Sequence, residues 1–492
     1  MGLLSLLLWT PAIGVLVLAV MPSQNASIIR GVAHFFTLLA LLLSGVLVSQ
    51  YDSHVAALQL SEYYPLNPGM GSAYALGVDG LSMPMLVLAA LLTAISLQAI
   101  PAAVDDIKGF LIAMMLLEFG MLGVFLAQDW ALFYVFWEVT LITLYFLLSH
   151  WGGRRRHPAS LNFALYALVG SVCMLISLLA ISEQALEQGG SLIAPMQQGA
   201  TQLPLVQQVF VLAGFLVGFG VLLPIFPLHG WQSLAHVQVN TPVSILLSGV
   251  LLKMGAYGLL RVVAMLPEAA HYLQPVLVFL AVFGMLHGSL LAWRQSNLKA
   301  MLAYASISQM GIVLFGIASL NEAGLIGAIL QMTAHGLVAA ALFFFVGVLH
   351  ERTHTFNIQD YSSLIPAMPR FALVTLIVLF VALGLPGSVG FIAGLYTLVA
   401  SFQLWGWLWI FFGLNVLITA AYIIRTLSLL FIGPVKPGMP ALNDLRVSEL
   451  LAAGVLVLLI VGFGFAPTPL INLSTPTLAE LNDLIQQKIP KE

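Results

Sequence analysis

Apolar residues run along this chain in long blocks separated by short polar stretches, not at the spacing of a surface helix or an alternating strand. About fourteen blocks are long enough to be membrane-crossing helices of about 20 residues. They cover roughly 2–21, 28–50, 76–102, 107–128, 130–151, 159–184, 205–228, 241–266, 272–295, 299–320, 323–350, 370–403, 405–432 and 447–472. Nothing basic precedes the first block and the first cation is Arg30, so it reads as a span and not as a signal peptide. The expected fold is an all-α polytopic membrane protein.

Two blocks are interrupted. The seventh contains VLLPIFPLHGW, with Pro224 and Pro227, and the twelfth contains LGLPGSVGFIAG, with Pro386 beside Gly384, Gly387, Gly390 and Gly394. Proline removes a backbone donor, and bare backbone is tolerated in a bilayer only where protein or a hydrated cavity covers it. The breaks lie five spans apart, so spans four to eight could mirror spans nine to thirteen in an inverted repeat. Ordinary proline kinks are the alternative. The organisation expected is residues 1–106 as a three-helix segment, 107–266 and 272–432 as five-helix repeats, and 433–492 as a last helix and tail.

Composition agrees with the pattern. Of 492 residues, 61% are hydrophobic and 7% charged, whereas a soluble domain carries roughly 25% charged residues. The net charge of −3 gives no reason to expect nucleic acid. The single cysteine, Cys173, excludes an intrachain disulfide, a cysteine-ligated iron–sulfur cluster and a thiolate zinc site. Cations favour one side: Arg30, Lys108, Arg154, Arg155, Arg156, Arg294, Lys299, Arg352, Arg370, Lys436 and Arg446 are assigned to the cytoplasmic face. Asp52, Glu62, Asp129, Glu183, Glu187, Glu268 and Glu322 fall on the other face, with Arg261, Lys488 and Lys491. An even number of spans puts both termini on that second face.

Four titratable groups lie near mid-span: Glu118 in span four, Glu138 in span five, Lys253 in span eight and His335 in span eleven. A charge at such depth costs on the order of 2.5–3.5 kcal/mol by insertion scales, so these groups are expected to face protein or water and one another. A carboxylate near a lysine, with an imidazole beyond it, suits proton relay. Static ion pairs between helices are the alternative. Asp79 is expected to cap span three, and Arg425 to snorkel to the interface. Lys299 is either a proton-uptake group or an interfacial anchor.

LGVDGLSMP from residue 77, LFYVFWEVTLITLYFLLSHWGG (132–153), LLPIFPLHGW (222–231) and PVSILLSGVLLKMGAYGLLR (242–261) are recognisable stretches. So are LKAMLAYASISQMG (298–311), QMTAHGLVAAALFFFVG (331–347) and ERTHT (351–355). They resemble the antiporter-like subunits shared by complex I and multisubunit sodium/proton antiporters, most of all the chain 4 (NdhD) type of cyanobacterial and chloroplast NAD(P)H–quinone oxidoreductase. The resemblance runs from about Leu76 to Arg425. It implies fourteen helices, two inverted five-helix repeats, broken helices seven and twelve and a hydrated polar axis. It also implies a proton relay of Glu138, Lys253 and His335, with Glu118 nearby and Lys299 as a further candidate. NAD(P)H or ferredoxin, iron–sulfur clusters and plastoquinone would belong to partner subunits, and no redox site to this chain. The membrane implied is a cyanobacterial thylakoid, or otherwise a bacterial inner membrane.

The chain also departs from that family. Leu222 stands where a lysine is usual, Asn162 replaces another lysine, Leu234 an aspartate, Gln309 a histidine and Gly394 a glutamate. A variant supporting carbon dioxide uptake and a non-pumping scaffold are both compatible with these losses, as is a sodium/proton antiporter or hydrogenase subunit. His350, Glu351 and His354 spell H-E-x-x-H, the pattern of a zinc protease helix, with Asp360 nearby but no clear third ligand. No nucleotide-binding glycine motif occurs.

Overall fold

Every apolar block carries a helix. The structure is a computed structural model that describes all residues except 1, 68, 70, 102–103, 188, 435–441 and 489–492. Lys436 and Lys491, assigned above to opposite faces, lie outside the described residues, as does the side chain of Lys488.

The chain begins with α1 (Leu3–Val20) and α2 (Ala26–Gln50), and Asn25 caps the second by accepting from Ser27 and Ile28 N–H. The third block departs from expectation. Gln59–Asn67 (β1) and Ser72–Val78 (β2) form an antiparallel hairpin, and α3 starts only at Ser82 and ends at Gln98. The adjacent Tyr63 and Tyr64 of QLSEYYPLN are residues that favour strands, and Asp79 starts the helix by accepting from Leu81 and Ser82 N–H. The hairpin also holds the start of the chain: Glu62 accepts from the N–H groups of Gly2 and Ser5 at 3.2 and 3.0 Å.

Next come α4 (Ile107–Leu126), α5 (Trp130–Trp151), α6 (Arg156–Glu187), the short α7 (Ile193–Gln202) and α8 (Leu205–Leu222). Span seven breaks after α8 and resumes as α9 (Gly230–Gln238). The Trp231 indole N–H donates to Val221 O at 2.9 Å, satisfying a carbonyl at the break. Span eight is α10 (Thr241–Leu246), a wide π turn at Leu247–Leu251 and α11 (Leu252–Met265).

The second half contains α12 (Pro267–Tyr272), α13 (Gln274–Arg294), α14 (Leu298–Ala318), α15 (Glu322–Thr353) and α16 (Leu364–Ala367). Span twelve is α17 (Pro369–Ala382) and α18 (Val389–Leu404), parted by a turn in which Gly384 and Gly387 both have φ of 89°, a conformation natural to glycine. Then follow α19 (Trp409–Phe431), α20 (Val447–Phe465) and α21 (Thr468–Lys488). The sequence reading left residues after 472 as a tail. They instead form α21, whose Thr477 accepts from Gly80 N–H and donates to Ala56 O, while Gln486 donates to Leu320 O. Gly2 and α21 therefore share the end of the bundle that carries the hairpin. Among the described residues twelve helical spans, with α10, the π turn and α11 taken as one, are long and apolar enough to cross a membrane, and the shorter apolar α3, α17 and α18 complete the third and twelfth blocks.

At the opposite end, cations sit on helix ends. Lys108 donates to Ala19 and Met21 O beyond α1, Arg156 to His150 O in α5, Lys299 to Val239 O beyond α9, and Arg425 to Trp293 and Gln295 O at the end of α13. Arg30 donates to Pro101 O after α3. The last carbonyls of a helix lack intrahelical donors and carry its negative pole, so a cation there is stabilising. Arg425 thus caps a neighbouring helix where snorkelling alone was expected.

The same end is stapled by Arg352 of the ERTHT stretch. It pairs with Glu449 at 2.7 Å, both side chains being under one-tenth exposed, and also donates to Asn443 and Asp444 O. Asp444 accepts from Arg370, Phe371 and Leu445 N–H at 2.8, 3.0 and 2.8 Å, covering the proline-led start of α17. Partial burial opposes its charge, but these donors and the Arg370 cation hold its carboxyl below the usual range.

Candidate functional site

Lys253 and His335 meet in the membrane interior. The Lys253 ammonium is 0% exposed; it donates to Ser248 O and lies 2.7 Å from His335 Nδ1. Two local features bring them together. The π turn widens span eight just before Lys253 and places Ser248 O within reach of its own side chain. Gly336, next to His335, packs directly on this turn: a Cβ there would stand 3.0 Å from Gly249 O and collide with Leu88. Gly336→Ala is therefore expected to cost about 1–3 kcal/mol by overpacking, read as a lower unfolding temperature. The same change at Gly394, whose Cβ would meet only Phe412 at 3.5 Å, should be nearly neutral.

The relay continues through hydroxyls. His335 Nε2 lies 3.2 Å from Ser306 Oγ, which lies 2.8 Å from Ser248 Oγ. Ser306 and His335 line a cavity of about 260 Å³ between α14, α15, α18 and α19. Its polar positions are the Gln331–Gln309 amide pair, Asn415, Thr419 and Tyr422 among mostly apolar walls. Gly394 lines it too.

Glu138 is placed differently from expectation. Its carboxylate accepts from the Ser171 hydroxyl on α6, and among the described residues Lys253 has no ion pair. Lys253 meets His335 and not Glu138, whose carboxylate lies on the α5–α6 side. Glu118 is 0% exposed and neither carboxyl oxygen has a partner. Phe125, seven residues further along the same helix face, packs on Tyr257, so this face is turned towards α11.

Lys299 is 2% exposed, bonded to Val239 O at 2.6 Å and 4.8 Å from the Phe356 ring centroid. That is an internal position, and the interfacial-anchor alternative does not describe it. Two buried groups were missed by sequence reading: Gln232 and His236, four residues apart on α9, both 0% exposed with no partner for their side-chain nitrogen and oxygen atoms. The signal was available in WQSLAH, where an amide and an imidazole share one helix face. His236 stacks on Phe343 at 4.5 Å.

The H-E-x-x-H run does not assemble a metal site. His350 stacks on Phe356 at 3.9 Å, Glu351 pairs with Arg446 at 3.4 Å, and His354 has left the helix with φ of 56°. Among the described residues there is no group of three metal-ligating side chains.

Comparison with known proteins gives the family and the fold. Residues 127–419 match the family described as NADH:quinone oxidoreductase/Mrp antiporter, transmembrane. The chain is 39% identical over 440 residues to NAD(P)H-quinone oxidoreductase chain 4 1 of Synechococcus sp. (strain JA-2-3B'a(2-13)), covering 87% of this chain and 82% of the relative. A chain of respiratory complex I from Thermus thermophilus superposes with a TM-score of 0.89 at 29% identity, covering 98% of this chain and 99% of that one. A chain of the Mrp complex from Dietzia sp. DQ12-45-1b shares the fold, with a TM-score of 0.88 at 22% identity and 99% of each chain covered. This chain is a polytopic all-α member of the NADH:quinone oxidoreductase/Mrp antiporter membrane family.

Proposed function

We propose that the chain is the proton-translocating, antiporter-like subunit of a complex I-type NAD(P)H–quinone oxidoreductase. The observation that carries this reading is the Lys253–His335 contact at 2.7 Å, buried in mid-span and opening through His335 and Ser306 onto the cavity. Two nitrogens at that distance can share one proton, and the two groups cannot both be cations without cost. Lys299, Gln232 and His236 lie between this pair and the basic end, and the cavity lies on the far side of His335. Unpartnered buried polar groups of this kind are sites for ordered water. Quinone reduction in partner subunits supplies the energy as a change in conformation, hydration or charge, and the proton passes from the basic end through Lys253 and His335 to the cavity. The two broken spans mark inverted five-helix repeats within fourteen crossings, with both termini on the lumenal or periplasmic side of a thylakoid or inner membrane. The relatives' naming as chain 4 of an NAD(P)H-quinone oxidoreductase supports the choice of complex.

The test is to purify the chain through a C-terminal tag, identify the co-purifying subunits and measure protons translocated per quinone reduced. Quinone-site and iron–sulfur partners are expected, and recovery with small antiporter subunits alone would move the assignment to a sodium/proton antiporter. Glu138→Gln is expected to lower the proton yield several-fold less than loss of Lys253, since Glu138 contacts Ser171 and not the central pair. An equal effect of the two changes would show that Glu138 belongs to the same step.

A further inference from the structure

We infer that Asp79 and Arg261 are positioning residues for Lys253: a buried ion pair at the hairpin end that fixes the rotation and height of α11. Arg261 is the last of three residues at four-residue spacing, with Lys253 and Tyr257 buried and Arg261 largely so, which mark one side of the helix. Its guanidinium meets Asp79 Oδ2 at 2.5 Å, the side chains being 12% and 7% exposed. It also donates to the Tyr257 hydroxyl at 3.1 Å and lies 5.0 Å from that ring's centroid. Tyr257 in turn packs edge-on against Phe125 of α4 at 5.3 Å.

Asp79 is itself fixed. Its Oδ1 caps α3, while the next residue, Gly80, donates to Thr477 of α21. The other titratable groups around the pair are Tyr257 on the same helix and Tyr51 at the end of α2. Around Lys253 they are His335 on α15, with Glu118 on the α4 face turned this way and His236 within electrostatic reach of His335.

The other end of α11 is the π turn at Leu247–Leu251, a local departure from α-helical register that is packed against Gly336. The Asp79–Arg261 pair holds the far end, so Lys253 lies between two fixed points. A rotation of about 20° moves a side-chain atom about 5–6 Å from the axis by about 2 Å, enough to open a hydrogen bond. Arg261 lies about 12 Å along the axis from Lys253, eight residues at about 1.5 Å each, so it acts on the proton carrier through the helix and not by contact.

This inference rests on Lys253 and His335 carrying the proton, and the variants separate the two ideas. Asp79→Asn keeps the Oδ1 acceptor that caps α3 and removes the charge facing Arg261; Arg261→Gln removes the other charge, and Arg261→Lys keeps it. Each is made in the assembled complex in membrane vesicles, and proton translocation and quinone reduction are followed across pH. Asp79→Asn and Arg261→Gln are expected to lower protons per quinone several-fold and to shift the pH profile of translocation, with Arg261→Lys recovering much of the loss. An unchanged profile, with at most less assembled complex, overturns the positioning role. If Lys253→Met is also without effect on translocation, the proton-carrying reading itself has failed; if Lys253→Met alone abolishes it, only the positioning role has.

Discussion

Replacing Lys253 with methionine is expected to cut proton translocation through this subunit by about tenfold or more, equivalent to a barrier rise of at least about 1.4 kcal/mol, while quinone reduction continues. Methionine fills much the same volume but carries no proton, and among the described residues the only side-chain partner of the Lys253 ammonium is His335, reached at 2.7 Å. A second readout separates function from architecture. Lys253 is wholly buried and has no carboxylate partner among the described residues, so its charge costs stability, and a hydrophobic isostere at such a site is commonly neutral or stabilising. Lys253→Met should therefore unfold at the same temperature as the wild type or a higher one. A variant that is less stable yet still pumps would mean that the lysine is structural.

Arg352→Met is expected to have the largest effect on stability, a loss of about 3–5 kcal/mol, because it leaves the Glu449 carboxylate buried without its cation. The arginine also holds Asn443 and Asp444 O, so the segment leading into α20 loses its attachment to α15. Thermal unfolding of the detergent-solubilised protein gives the measurement. Adding Glu449→Gln should recover part of the loss by removing the stranded charge. An Arg352→Met protein as stable as the wild type would mean that water reaches Glu449 freely. By contrast the Arg446–Glu351 pair, at 65% and 35% exposure, should matter little.

The transmembrane class and the titratable residues were legible because a charge inside a long apolar run is costly and conspicuous. Glu118, Lys253 and His335 were found in this way, and all three are buried. Their pairing was not legible. It depends on the π turn and on the close packing of Gly336 against Gly249, and neither leaves a periodic trace in the sequence. Glu138 was expected beside Lys253 because opposite charges at similar depth attract, yet it lies against Ser171. Gln232 and His236 escaped notice because sequence reading looked for formal charge, whereas the cost of burial falls on any unpartnered polar atom. Asp79 was recognised as a cap, and its pairing with Arg261 was hidden by the distance between them in the sequence. The hairpin lies mostly in the connection between the second and third blocks, where no strand was expected, and only Leu76–Val78 of SAYALGV fell inside the third block.

The carbonyl-bound cations at the basic end have a consequence for how the protein meets lipid. Lys108, Arg156 and Arg425 each give one or two of their N–H groups to backbone oxygen, so fewer remain for phosphate head groups. The exposed side chains of Arg154, Arg155, Arg294, Arg370 and Arg446 are the more open sites for an anionic lipid. Charges that keep loops from crossing while the chain inserts are thus reused to close helix ends once it has folded. Neutralising one of them should disturb insertion and stability together, whereas changing the lipid charge should disturb neither strongly.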